Sequence, residues 1–179
     1  MLYIIAGKYK KRKLMTPKGG TTRPSLGKMR ETLFNICQNE IEGASFLDLF
    51  AGAGAIGLEA LSRGAHSLTL VEKDRNAQHC IEKNIEALGV HAHLIKGDVF
   101  KALEHLPPFD IIYADPPYGK GFSARVATLV EQYQLLKEGG SLFLEDSTKE
   151  LPELKQLQKK SSRKTGRSYL HHLVAMAYS

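Results

Sequence analysis

Residues 48–57 read Asp48-Leu49-Phe50-Ala51-Gly52-Ala53-Gly54-Ala55-Ile56-Gly57. A strand-like apolar run over residues 45–50 leads into this stretch, and a helical pattern over residues 56–62 leads out of it. The spacing Gly52-x-Gly54-x-x-Gly57 at such a junction permits a tight turn and lets a ligand approach the backbone closely. It places the chain in the α/β class, with the ligand at the carboxyl ends of the strands. Glu72 lies twenty residues after Gly52. It ends the next strand pattern, residues 67–71, where a carboxylate can accept both hydroxyls of a ribose. On spacing alone a dinucleotide fits as well as any other nucleotide. Charge argues otherwise, because Asp48 beside the turn repels a pyrophosphate and attracts a cationic amino-acid end. S-Adenosylmethionine carries an ammonium, a sulfonium and a ribose. Asp98, in Lys96-Gly97-Asp98-Val99-Phe100, follows the third strand pattern and can accept from an adenine amino group. Any one of these acids could merely cap a helix. Three acids after three successive strands, with the glycine turn, favour the nucleoside.

A second motif, Asp115-Pro116-Pro117-Tyr118, follows the apolar run Ile111-Ile112-Tyr113-Ala114. Each proline fixes its own φ and pushes the preceding residue into an extended conformation. The loop is therefore stiff, and it holds a carboxylate, a backbone carbonyl and an aromatic ring in one place. These suit a planar amine: Asp115 and the Pro116 carbonyl each accept one N–H, and Tyr118 covers the attached ring. Alone, the tetrapeptide would read as an acidic turn between strand and helix.

Around these motifs strand and helix patterns alternate. Strands are expected at residues 45–50, 67–71, 92–96, 110–114 and 141–145. Helices are expected at 56–62, 76–88, 99–105 and 123–136, the last closed by Gly139-Gly140. A helix from Ser25, its N-cap, to about residue 40 precedes them, and a hairpin turning at Gly166 ends the chain over residues 163–178. Residues 2–6 and 12–15 pair as a hairpin about a basic turn. Residues 1–25 form a basic extension outside the α/β core, and 26–179 form the domain. Asp48, Glu72, Asp98 and Asp115 all fall on one edge of the sheet.

The balance of 42% apolar and 25% charged residues is that of an ordinary globular protein. No apolar run approaches a membrane span, and Met1-Leu2-Tyr3-Ile4-Ile5 is too short for a signal-peptide core. Cys37 and Cys80, both in helical patterns, are expected as reduced thiols of a cytoplasmic protein. The histidines show no metal-ligand spacing, so no metal is expected. The net charge of +6 is uneven. Lys8, Lys10, Lys11, Arg12, Lys13, Lys18, Arg23, Lys28 and Arg30 all precede the first acid, Glu31. Lys155, Lys159, Lys160, Arg163, Lys164 and Arg167 form a second basic group. A whole segment without a carboxylate points to a polyanion.

These features resemble the class I S-adenosylmethionine-dependent methyltransferases that carry an (Asn/Asp)-Pro-Pro-(Tyr/Phe) motif. They are most similar to the RsmD family, the bacterial 16S rRNA (guanine(966)-N(2))-methyltransferases. The marks are Ile5-Ala6-Gly7-Lys8-Tyr9, Arg12-Lys13-Leu14, Arg23-Pro24, Arg30-Glu31-Thr32-Leu33-Phe34-Asn35, Asp48–Gly57 continuing into Leu58-Glu59-Ala60-Leu61-Ser62-Arg63-Gly64-Ala65, Glu72, and Asp115–Tyr118. Lys11 stands where the family commonly has Gly, and Ser25 where it has Thr. The resemblance implies a Rossmann-like, seven-stranded, mainly parallel sheet with an antiparallel last strand and an N-terminal β-hairpin. It implies S-adenosyl-L-methionine as cofactor, held by Asp48, Phe50, Gly52, Gly54, Glu72, Asp98 and Val99. Catalysis falls to Asp115, Pro116 and Tyr118. RNA binding falls to Lys8, Lys10, Lys11, Arg12, Lys13, Arg23, Arg30 and Lys120. The expected partner is 16S rRNA, within an assembling small subunit, acted on by a monomer without metal or membrane. Competing readings are an N6-adenine DNA methyltransferase, a non-catalytic RNA-binding protein, and a nicotinamide oxidoreductase. The last leaves Asp48 and the Asp-Pro-Pro-Tyr loop without a purpose.

Overall fold

The computed structural model describes residues 1–19 and 24–177. A short antiparallel hairpin, β1 (Leu2–Tyr3) and β2 (Lys13–Leu14), opens the chain, and α1 (Pro24–Ile36) follows. Then come β3 (Ser45–Leu49), α2 (Ala55–Ser62), β4 (Ser67–Glu72), α3 (Arg75–Leu88) and β5 (His93–Lys96). The chain continues through α4 (Val99–Leu103), β6 (Phe109–Ala114), α5 (Phe122–Gln132), β7 (Leu136–Asp146), β8 (Leu157–Thr165) and β9 (Ser168–Ala175). Seven strands form one sheet in the order β5-β4-β3-β6-β7-β9-β8. The first five are parallel, and β9 and β8 are antiparallel additions at one edge.

Both faces of the sheet are covered, which is why β3 and β6 are apolar almost throughout. Phe46, Leu68, Leu70, Ile111 and Phe143 pack against Met29 and Leu33 of α1, Leu58 of α2 and Ile81 of α3. Leu47, Leu49, Val71, Ile112 and Leu142 pack against Leu103 of α4 and Val126 and Val130 of α5. Strand alternation therefore puts Asp48, Glu72, Tyr113 and Glu145 on the α1–α2–α3 face. The order in which strands are added reverses at β3, which lies between β4 and β6, and this switch point creates a crevice at the carboxyl edge.

Several boundaries differ from the sequence reading. Helix α1 already includes Pro24, so Ser25 lies inside its first turn, a place where proline's missing N–H costs nothing. Cys37 lies in the turn that ends α1, while Cys80 lies within α3, and both are buried free thiols. Burial pushes the Cys37 thiol up to about 12. Gly139-Gly140 does not close α5 but lies within β7. A Cβ on Gly140 would stand 2.8 Å from the Lys137 carbonyl oxygen and 3.0 Å from that of Asp110, where the β6–β7 register shifts. Strand β8 begins at Leu157, six residues before the expected hairpin.

The N-terminal segment is not outside the core. Leu2, Ile4 and Leu14 are buried in the same cluster as Phe46 and Leu58. Its anchor is Glu59 of α2, fully buried, whose carboxylate accepts from Ile5 N–H at 2.8 Å and Ala6 N–H at 2.9 Å. Arg63 Nε lies 3.0 Å and Arg30 3.6 Å from the same carboxylate. Ser62 completes the clasp: its Oγ donates to the Ala6 carbonyl and accepts from Tyr9 N–H, and its own carbonyl accepts from Lys8 N–H. Lys11, in the turn, has φ +67, a conformation that explains why glycine suits this position.

Candidate active site

The carboxyl edge of the sheet carries two adjoining cavities. The larger, about 500 Å³, is lined by Leu26, Phe50, Glu72, Asp98, Val99, Asp115, Pro116 and Tyr118, among others. The smaller, about 240 Å³, is lined by Asp48, Phe50, Gly52, Tyr113, Asp115 and by Leu2, Thr16 and Pro17 of the N-terminal segment. Leu26, Phe50 and Asp115 border both. Asp115 thus stands at the junction between a larger compartment and a smaller one.

The glycine turn is organised by the acids around it. Asp48 is 1% exposed, and its Oδ2 accepts from Gly57 N–H at 2.9 Å. Burial raises its pKa well above the carboxylate range; the Gly57 N–H opposes this, while Glu72 and Asp115 add to it. A cation entering the smaller cavity would relieve that penalty. Glu72 accepts from Gly52 N–H and Asp74 N–H, each at 2.8 Å, and a carboxylate so held retains lone pairs for a ribose. Gly52 has φ +57, and a Cβ there would meet nothing within 4 Å. Its space opens onto the cavity, so a ligand can lie against the bare backbone. Gly57 differs: a Cβ would stand 2.6 Å from Leu68 Cδ1, so this glycine serves helix–strand packing. Gly54, expected at the ligand, begins α2 in the left-handed region and is packed beneath the turn against Leu70 and Ile81. It borders neither cavity.

Asp98 caps α4, accepting from Phe100 N–H at 2.9 Å and Lys101 N–H at 3.3 Å through Oδ1, while its residue lines the larger cavity. The capping role weighed against the adenine contact is therefore real and leaves Oδ2 for a ligand. Val99 is buried in the wall, and Phe50 packs edge-on to Phe100 with 6.1 Å between centroids. Pro116 is buried, Pro117 exposed, and Tyr118 42% exposed. The Tyr118 hydroxyl is 2.7 Å from Ser168 Oγ, at the start of β9. The last hairpin thus walls the larger cavity on the Tyr118 side through Thr165 and Ser168, which only tertiary structure reveals.

The basic residues divide. Lys8, Lys10, Lys11 and Lys13 are exposed. Arg12 donates to the Ala87 carbonyl near the end of α3. Residues 6–9 dock at Ser62, the far end of the eight-residue α2, roughly 12 Å from its start at the cleft. The basic turn therefore lies a helix length from the cavities. Arg30 is not at the surface: it is 4% exposed, donates to the Tyr3 carbonyl at 2.9 Å and pairs with Glu59. Its place as an RNA contact is corrected to that of an internal strut for the hairpin. Arg23 lies outside the described residues. Lys120 is exposed on the loop after Tyr118, and Lys73, Lys164 and Arg167 flank the cavity-lining Glu72, Thr165 and Ser168. Lys164 and Arg167 were not singled out as cleft residues because the β8–β9 hairpin reaches the cleft only through β9 lying beside β7.

Comparison with known proteins agrees with this geometry. The model of the family described as conserved hypothetical protein 95 matches residues 2–174. The ribosomal RNA small subunit methyltransferase D of Buchnera aphidicola (subsp. Acyrthosiphon pisum) is 32% identical over 176 residues, covering 95% of this chain and 92% of that protein. The solved yhhF protein of Escherichia coli superposes with a TM-score of 0.89 at 30% identity over 99% of each chain. A Thermus thermophilus 16S rRNA N2-guanine methyltransferase, RsmC, solved with AdoMet and guanosine, superposes with a TM-score of 0.67 at 26% identity. That match covers 89% of this chain and 45% of the other. The Rossmann-like methyltransferase fold, with its antiparallel last strand and separate N-terminal hairpin, is thereby shown. With its family model spanning nearly the whole chain and a relative at 32% identity covering 95% of it, the protein belongs to the conserved hypothetical protein 95 family, that of the small-subunit ribosomal RNA methyltransferases D.

Proposed function

We propose that this protein transfers a methyl group from S-adenosylmethionine to the exocyclic N2 amine of a guanine in small-subunit (16S) ribosomal RNA. The observation that carries the reading is Asp115 at the meeting of two cavities, followed at once by the buried Pro116. The residues fit the methyl donor. Glu72 and Asp98 offer acceptors in the larger cavity, Gly52 leaves backbone bare, and Asp48 favours a cation in the smaller one. Bound there, S-adenosylmethionine supplies a methyl group activated by a sulfonium. Phe50, Val99 and Phe100 furnish apolar walls that exclude water.

A guanine amine is a weak nucleophile because its lone pair is delocalised into the ring. Asp115 and the Pro116 carbonyl would accept its two hydrogens and turn the lone pair toward the donor. As the nitrogen attacks, positive charge grows on it, and the Asp115 carboxylate stabilises that charge. Alignment within the stiff loop supplies much of the remaining acceleration. The N-methylated cation formed as the sulfonium–methyl bond breaks is strongly acidic and would pass its proton to Asp115 and on to solvent. Tyr118 offers a ring for a base swung out of its stack, which RNA loops present cheaply.

The proposal includes an RNA path over Lys73, Lys120, Lys164 and Arg167 at the rim, with Lys8, Lys10, Lys11, Arg12 and Lys13 as a more distant contact. Residues 1–25 serve as an RNA-facing extension that folds together with the catalytic domain, 26–179. It also includes a cytoplasmic monomer acting, without metal or membrane, on an assembling subunit. Among the described residues no helix is long and apolar enough to cross a membrane. The test incubates the protein with labelled methyl donor and small subunits, or their RNA, from cells lacking it. N2-methylguanosine in the digested RNA is expected. Label only in adenine, in DNA or in no nucleic acid would overturn the reading.

A further inference from the structure

Glu145 has no role in the site as described, yet it lies inside it. It is the penultimate residue of β7, 6% exposed, and it lines the larger cavity. Strands β6 and β7 run parallel with Tyr113 beside Phe143 and Ala114 beside Leu144. One step further, Asp115 and Glu145 leave the sheet edge as neighbours, on the face of Tyr113 and Phe143. The backbone beneath Glu145 is fixed, since its carbonyl accepts from the buried Ser123 Oγ at 3.1 Å. The Tyr113 hydroxyl is buried beside the Glu145 side chain. Burial raises its pKa well above that of an ordinary phenol, and the charges of Glu145, Asp115 and Asp48 raise it further. Two carboxylates thus project from adjacent strand ends into the compartment where the acceptor base must sit.

Guanine presents an unbroken row of donors on one edge, N1–H beside the two hydrogens of N2. Adenine and cytosine present a lone pair at the ring nitrogen next to their amine. A second carboxylate beside the one holding the amine matches the first pattern and opposes the other two. We infer that Glu145 is a specificity-determining residue that accepts the guanine N1–H while Asp115 and the Pro116 carbonyl hold the N2 amine. A base with a lone pair at that position faces a buried carboxylate and leaves two acceptors unpaired, the arrangement that gives strong rejection. This rests on the guanine-N2 reading above and deepens it.

The experiment replaces the guanine that the wild-type enzyme methylates by 2-aminopurine, which keeps the N2 amine but carries a lone pair at N1. The kcat/KM of wild type should favour guanine by at least about 100-fold. Glu145→Gln keeps the side-chain length and offers an amide N–H to that lone pair. It should narrow the ratio at least about tenfold, with affinity for S-adenosylhomocysteine and melting temperature unchanged. Glu145→Asp keeps the charge and should keep the preference while lowering turnover. Equal losses on both substrates in Glu145→Gln, a ratio narrowed as much by Tyr113→Phe, or a lost preference in Glu145→Asp would each overturn the inference. Failure of the wild type to methylate guanine at all would instead overturn the guanine-N2 reading.

Discussion

Replacing Glu59 by Ala removes the anchor of the N-terminal hairpin. The Glu59 carboxylate is fully buried and is met by two backbone amides at 2.8 and 2.9 Å and by the guanidinium groups of Arg63 and Arg30. Without it Arg30, 4% exposed, loses its compensating charge. Burial already pulls the Arg30 pKa down and Glu59 opposes that pull. Breaking a buried pair by removing one partner costs about 3–5 kcal/mol. The loss is bounded by release of the hairpin, which re-solvates Arg30 and the two amides. Release exposes Leu2, Ile4 and Leu14, each worth about 1.5–3 kcal/mol. Full release therefore costs no less than breaking the pair, and a loss of about 3–5 kcal/mol is expected. Denaturant unfolding measures it, and hydrogen exchange at Ile5, Ala6, Lys8 and Tyr9 locates it. Because Leu2, Thr16 and Pro17 border the smaller cavity, affinity for the methyl donor should fall as well. A loss below about 0.5 kcal/mol, the size of an ordinary surface substitution, with unchanged exchange would refute the clasp.

Two glycines make opposite predictions. A Cβ on Gly7 would stand 1.9 Å from the Ser62 carbonyl oxygen at φ +84, so Gly7→Ala should cost about 2–4 kcal/mol by denaturant unfolding. Gly52→Ala meets no atom within 4 Å; it should cost about 1 kcal/mol of stability for its positive φ yet weaken the methyl donor at least tenfold by calorimetry. Asp48→Asn keeps an acceptor for Gly57 N–H and removes a charge whose folded pKa is raised. A raised acid loses stability as pH climbs from its unfolded value near about 4 through the folded one, so the variant should be the more stable by about 1–3 kcal/mol at neutral pH and no more stable at acid pH. It should also bind the methyl donor more weakly.

The parallel core of the fold was legible because each strand there is a short apolar run ended by Gly, Asp or Pro. The same runs placed Asp48, Glu72, Asp98 and Asp115 on one edge. The local sequence did not reveal what tertiary packing decides. Glu59 reads as a charge on a helix pattern, and nothing within α2 says that a hairpin more than fifty residues earlier closes over it. Arg30 stands in a basic run, so it read as surface; its burial depends on that same hairpin. Gly139-Gly140 reads as a stop, but a crowded strand crossing uses the missing Cβ equally well. Gly54 matches the glycine spacing, though a Cβ there would meet Leu70 and Ile81 and the residue borders neither cavity. Thr165 and Ser168 reach the cleft only through β9 lying beside β7, and Glu145 meets Asp115 only through β7 lying beside β6, pairings without a local signature.

In the proposed mechanism Asp115 holds the methyl acceptor rather than the donor. Single-turnover methyl transfer to small-subunit RNA by Asp115→Ala, with calorimetry of S-adenosylhomocysteine on the same variant, tests it most directly. Loss of transition-state stabilisation should lower the rate by at least about 100-fold while affinity for the donor's product changes less than about threefold. Near-normal transfer, or a loss explained wholly by weakened donor binding, would contradict it.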